Sequence, residues 1–183
     1  MTEDALEPTM DEAAQRQPRG WRRWLMLLGV GGGWLIADLA TKRFAAARLA
    51  ERSLDLLELK GVIVRLVLAH NPAGAWSMFG FVPGIARRLL FVAISVVASV
   101  LLTIWYLRLP REERLVRLGL VTVLGGALGN LVDRIAYGSV IDFIEVSAFW
   151  GETRHFWPTF NIADVAISVG VGLLLLQMVR GKK

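Results

Sequence analysis

Cysteine is absent from this 183-residue chain, which excludes disulfides, thiolate nucleophiles and Cys-based metal sites and leaves the redox compartment open. Histidine is scarce: His70 and His155 are the only two. Neither lies in a His-Glu-x-x-His arrangement, and two are too few for a zinc-hydrolase site without acidic help. No metal and no cofactor are expected. Charge is thin as well, with Asp, Glu, Lys and Arg at 20% against 55% apolar residues, too apolar for an ordinary soluble domain of this size. The formal net charge of +5 does not signal nucleic acid, because the Lys and Arg residues fall in short clusters beside apolar runs and form no basic face with interleaved aromatics.

What the chain does contain is hydrophobic length. Roughly 20 helical residues cross the hydrocarbon core of a bilayer, and four stretches qualify: about 24–41, 89–107, 115–132 and 160–179. The expectation is an all-α membrane protein with four transmembrane helices, built as a single domain over residues 21–183. Residues 1–20 mix acids, Gln and Pro without apolar periodicity and read as a disordered cytoplasmic tail. They do not read as a signal peptide, which would need a short basic start, an apolar stretch and a small-residue cleavage site.

Arg16, Arg19, Arg22 and Arg23 precede the first span, Arg108, Arg111, Arg114 and Arg117 fill the link between the second and third, and Arg180, Lys182 and Lys183 end the chain. In a four-span protein these groups share one side, which the positive-inside rule makes the cytoplasm; Arg87 and Arg88 before the second span run against it. Both termini are then cytoplasmic. Asp38 ends the first span, Asp133 ends the third and Asp164 opens the fourth, so topology gathers three acids at the outer face. Of the two outer connections, residues 54–70 are rich in β-branched residues and loosely alternating, and read as a small extracytoplasmic β element. Residues 133–160 carry Phe149, Trp150, Phe156 and Trp157 and read as an interfacial segment.

Within this frame Asp142 and Asp164 stand out. An ionisable group at the edge of a bilayer costs several kcal/mol unless it is paired or faces water, and two that can meet form a candidate acid/base pair. Asn130 and Asp133 are i and i+3 on a helix, Asn161 and Asp164 repeat that spacing, and the two Asn/Asp faces can confront each other. Glycine pairs Gly29/Gly33 and Gly125/Gly129 offer the close helix packing that this requires. Asp38 and Lys42, at i and i+4, read as an ordinary helix pair, and Asp133 beside Arg134 as an ion pair at a helix end. The bland alternatives are that Asp142 sits in a solvated loop and that Asp164 caps the fourth span. Spacing alone leaves Asp133 an equal candidate to Asp142.

Five segments in order carry a family resemblance: Asp38-Leu39-Ala40-Thr41-Lys42, Asn71-Pro72-Ala73-Gly74-Ala75-Trp76-Ser77, Gly125 through Arg134, Val140-Ile141-Asp142-Phe143, and Phe160-Asn161-Ile162-Ala163-Asp164. Together with four spans they resemble the successive motifs of lipoprotein signal peptidase, or signal peptidase II. One departure is local: the family usually has Asn-x-Gly-Ala-Ala where this chain has Asn71-Pro72-Ala73-Gly74-Ala75.

The resemblance implies an intramembrane aspartyl endopeptidase that removes the signal peptide of a diacylglyceryl-modified prolipoprotein just before the lipidated cysteine. It assigns Asp142 and Asp164 as the catalytic dyad. It makes Asn71, Asn130, Arg134 and Asn161 substrate-binding or dyad-supporting residues, with Asp38, Lys42 and Asp133 as structural support. The partners it implies are lipidated prolipoprotein substrates and membrane lipid, with no nucleic acid. A monomer in the bacterial cytoplasmic (inner) membrane is expected.

Other classes fit less well. Asn71-Pro72-Ala73 matches the water-channel tripeptide, but one copy and four spans do not make that architecture. A Ser/Lys protease from Ser77 and Lys42 lacks a strand-to-helix elbow. A proton-coupled carrier predicts midplane acids and an internal repeat, whereas the acids here cluster at one face.

Overall fold

The computed structural model describes residues 21–72, 82–110 and 112–181. The N-terminal tail, residues 73–77 of the Asn71 motif, and Arg111, Lys182 and Lys183 lie outside the described residues, as does Ser77 of the Ser/Lys alternative.

Among the described residues, four helical stretches are long and apolar enough to cross a membrane. The first combines α1 (Trp21–Met26), a π-helical turn (Leu27–Gly31) and α2 (Gly32–Arg48). The others are α3 (Gly84–Arg108), α4 (Arg114–Tyr137) and α5 (Ile162–Arg180). Several run past the expected spans, since hydropathy measures the thickness of the apolar layer while helices end at caps. Pro83 precedes α3. Gly138, at φ 73°, adopts the left-handed conformation that closes α4, its N–H bonded to the Arg134 carbonyl. Asn161 caps α5.

Arg88 adds a second closure to α4. Its guanidinium donates to the carbonyl of Arg134 (3.1 Å), which also accepts from Gly138, and to that of Ile135, placing positive charge at the negative end of the helix. This local task accounts for an arginine placed against the charge pattern of the rest of the chain.

Helix α4 is the centre of the bundle, buried along most of its length. Glycine makes the approach possible: a Cβ on Gly125 would strike the Gly31 carbonyl, one on Gly126 the Ala163 carbonyl, and one on Gly129 the Asp38 carboxylate. The expected pairing of Gly29 with Gly33 is corrected here. Both face open space, and the contact residue of the first span is Gly31, tight against the Val121 carbonyl. A four-residue spacing finds a face, but it cannot say which face meets the neighbour.

Four strands form one antiparallel sheet in sequence order: β1 (Leu54–Leu59), β2 (Val62–Asn71), β3 (Val140–Trp150) and β4 (Thr153–Phe156). The expected β element is therefore half of the sheet, and the stretch read as interfacial supplies the other half. Its strand character is masked in sequence because Val140, Ile141, Asp142 and Phe143 are all buried, so the alternation of a one-sided strand is missing. Phe149, Trp150, Phe156 and Trp157 remain exposed. The sheet is tied to the helices by Phe143, which packs with Ala45 and Leu49 at the end of α2. Phe160 also exchanges backbone hydrogen bonds with Ile144 just ahead of α5.

Candidate active site

Each sequence-predicted site residue reaches one cluster where the ends of α2, α4 and β2, the start of α5 and the first half of β3 converge. Antiparallel register explains how β2 takes part. Asn71 lies opposite Val140 and Ala69 opposite Asp142, so Asn71 and Asp142 are diagonal neighbours on one face. Asn71 Nδ2 donates to Asp142 Oδ2 at 2.9 Å.

The other Asp142 oxygen faces α5. Asn161 Nδ2 donates to Asp142 Oδ1 at 2.7 Å, with the Asn130 Oδ1 and the Ile141 carbonyl at 3.2 and 3.3 Å as further acceptors. Asn161 and Asp164 also close a capping box: Asp164 N–H donates to Asn161 Oδ1 (3.0 Å) and Asn161 N–H to Asp164 Oδ2 (3.2 Å). Asp164 does serve the helix start, then, but its second oxygen is used elsewhere. Asn130 Nδ2 donates to Asp164 Oδ1 at 2.9 Å. Two amides thus bridge the carboxylates, Asn161 touching both and Asn130 holding Asp164 while accepting from Asn161.

Behind the amides lies a buried cation. Lys42 is 1% exposed, and its ammonium sits 2.7 Å from Asp38 Oδ2, 2.9 Å from Asp133 Oδ2 and 3.0 Å from Asn130 Oδ1. The two carboxylates reach onward to backbone donors, Asp38 Oδ1 accepting from Ala163 N–H (2.8 Å) and Asp133 Oδ2 from Ile141 N–H (3.0 Å). This ion network therefore fixes the residues beside both candidate acids, Ala163 next to Asp164 and Ile141 next to Asp142. The expected Asp133–Arg134 ion pair is corrected: consecutive helical residues point about 100° apart, and Asp133 turns inward to Lys42. Arg134 instead donates to the Asn130 carbonyl (3.2 Å), lies over the Phe91 ring at 5.0 Å, and is half-buried within electrostatic reach of Asp164, Asp142 and Asp133.

Burial is the main influence on Asp142. The residue is 1% exposed, and removal from water pushes its carboxyl up to about 6 from the ordinary 3.8. The Asn71 hydrogen bond opposes that rise, the nearby Asp164 charge adds to it, and Asn161 and Lys42 oppose it. Asp133, the rival candidate by spacing, is engaged instead by Lys42 and the Ile141 amide. The described residues contain no group of three His, Cys, Asp or Glu side chains placed to hold a metal ion.

Residues 31–180 match the family model described as signal peptidase (SPase) II. The chain belongs to the signal peptidase II family. A lipoprotein signal peptidase of Pseudomonas fluorescens is 42% identical over 156 residues, spanning 82% of this chain and 89% of that protein. One from Geobacter metallireducens is 37% identical over 150 residues, spanning 81% and 87%. Two solved structures, each described as a bacterial membrane enzyme, share the fold. One has TM-score 0.68 at 22% identity over 90% of this chain and 92% of its own; the other has TM-score 0.65 at 23% identity over 87% and 94%. As a member of the signal peptidase II family the chain is a membrane protein and a peptidase.

Proposed function

We propose that this chain cleaves the signal peptide from diacylglyceryl-modified prolipoproteins just before the lipidated cysteine, with Asp142 and Asp164 acting as a paired acid and base. The observation that carries the reading is the amide bridge: Asn161 and Asn130 hold two carboxylates in one network, and one of the two is kept protonated to about pH 6, chiefly by burial. Two neighbouring carboxyls that cannot both ionise share one proton, and their apparent pKa values belong to the pair.

In this mechanism Asp164 is the base. It stands in the first turn of α5, where the helix dipole favours an anion, and it is less buried than Asp142. The Asp164 carboxylate removes a proton from water as the oxygen attacks the scissile carbonyl carbon, and the protonated Asp142 gives its proton to the carbonyl oxygen. The product is a tetrahedral gem-diol, with Asp164 protonated and Asp142 ionised. Collapse reverses the traffic: Asp142 takes back a hydroxyl proton, Asp164 protonates the departing amine, and the C–N bond breaks. Asn71 holds Asp142 from the sheet side. In this reading Arg134, which borders the network without an ion pair among the described residues, binds substrate backbone carbonyls.

The same reading places the protein as a multi-pass inner-membrane enzyme, both termini cytoplasmic and the acids near the outer face. It is supported by the separation of the arginine-rich helix ends from the acid cluster along the four spans. The experiment is to incubate the purified chain with one precursor in lipidated and unlipidated forms and to map the product ends by mass spectrometry. Cleavage of the lipidated form alone, immediately before the modified cysteine, is the expected result. Equal cleavage of both, or a cut elsewhere, overturns the substrate assignment.

A further inference from the structure

At the end of the bundle away from the acids, the reaction leaves two arginines without a task. Arg23 of α1, Tyr106 at the end of α3 and Arg117 in the first turn of α4 meet there. Tyr106 is fully buried; its hydroxyl donates to the Arg23 carbonyl (2.7 Å) and accepts from Arg117 Nη2 (3.1 Å). The Arg117 guanidinium lies over the Tyr106 ring, 4.9 Å from its centroid, and Arg23 Nη1 donates to the Leu107 carbonyl at 3.0 Å.

These contacts leave both guanidinium groups without a carboxylate partner among the described residues. Arg117 is only 7% exposed, yet its Nε, like that of Arg23, is buried with no hydrogen-bond partner among the described residues. Neither arginine forms an ion pair among the described residues. Of the two acids just before α4, Glu113 accepts instead from Gln177 of α5 at 3.3 Å and Glu112 is exposed and pairs with neither arginine. Buried charges in proteins are normally paired, because an unpaired one loses its hydration without return. The amino end of α4 adds further positive potential at the same point.

We propose that Arg23 and Arg117 form an anion site that binds a phosphate group, carried at this depth by the headgroup of an anionic phospholipid. The guanidinium fork suits phosphate oxygens, and the position level with the ends of α3 and α4 is where headgroups lie. The site is separate from the acid cluster: Arg117 precedes Asn130 by thirteen residues on α4, about 20 Å at 1.5 Å per residue. It does not depend on the catalytic reading.

The test is thermal unfolding of the purified full-length chain in zwitterionic phosphatidylcholine micelles, with and without phosphatidylglycerol, and separately with inorganic phosphate. Phosphatidylglycerol should raise the midpoint by at least about 4 °C. Arg117→Gln should lose most of that rise, and so should Arg23→Gln, whose less buried side chain keeps the test available if the first variant folds poorly. Arg180→Gln, a charge loss at the end of α5, should keep it. A matching rise with inorganic phosphate, lost in the same two variants, retains the anion site and makes a free anion its ligand. No rise with either anion, or a rise that Arg23→Gln and Arg117→Gln keep in full, overturns the proposal. Equal loss in Arg180→Gln does so too, by reducing the effect to general attraction between basic helix ends and anionic lipid.

Discussion

Replacing Lys42 by Met keeps the length of the side chain and removes a charge that two buried carboxylates share. Asp38 and Asp133 are 0% and 2% exposed, and each would retain one backbone donor, from Ala163 and Ile141 respectively. Removing one partner of a buried ion pair costs about 3–5 kcal/mol, because the remaining charge stays desolvated. Here two acids are stranded by one substitution, and protonation of one or both limits the loss, so the upper part of that range is expected. For a chain of this size each kcal/mol moves the unfolding midpoint by about 2–4 °C, giving a fall of roughly 8–20 °C in micelles. Adding Asp133→Asn removes one stranded charge and should recover part of the loss, a coupling of about 0.5–3 kcal/mol. Peptidase activity per folded molecule should also drop, since Lys42 holds the Asn130 amide that in turn holds Asp164. A Lys42→Met protein within about 0.5 kcal/mol of the parent, or a double variant less stable than the single one, would refute the reasoning.

The raised carboxyl of Asp142 fixes a pH dependence. The singly protonated pair is lost as pH climbs through about 6, so cleavage rate should show a falling limb there, and any stability that this proton contributes is present below 3.8 and lost by the same point. Asn71→Ala removes a hydrogen bond that holds Asp142 down, so the limb should move to higher pH, with the rate at its optimum reduced about 10- to 100-fold by loss of a charge-assisted contact; a limb that stays in place contradicts this. Gly126→Ala forces a methyl into the Ala163 carbonyl and Ile167, which should cost about 1–3 kcal/mol and lower activity by displacing the start of α5. Gly172→Ala, which meets nothing, should be neutral or gain up to about 1 kcal/mol of helix preference, and comparison of the two midpoints checks the pair.

Hydropathy alone locates the four helices because a bilayer demands long apolar runs, and of the two Asn/Asp pairs read as facing each other Asn130 does meet Asn161 and Asp164, while Asp133 turns to Lys42. Other features were beyond its reach. The burial of Val140 to Phe143 on both sides erases the alternation that marks the start of a strand, so half of the sheet reads as interfacial. Whether Asp133 pairs with Arg134 or with Lys42 depends on the crossing of α2 and α4, which Gly129 permits by leaving room for the Asp38 carboxylate. The pairing of Asn71 with Asp142 depends on strand register, set by a shift between Leu66 and Ala69 that no local pattern reveals. For the same reason spacing could not separate Asp142 from Asp133, whereas the contacts do: one carboxylate is held by amides and the other by an ammonium.

The most direct test of the paired-carboxylate account is single-turnover cleavage of a lipidated precursor by purified Asp142→Asn and Asp164→Asn proteins whose unfolding midpoints match the parent. Each substitution keeps the shape and removes the titrating group. Both rates should fall by at least about 100-fold, the lower bound for loss of a general acid or base. A rate within threefold of the parent for either variant would contradict the pair.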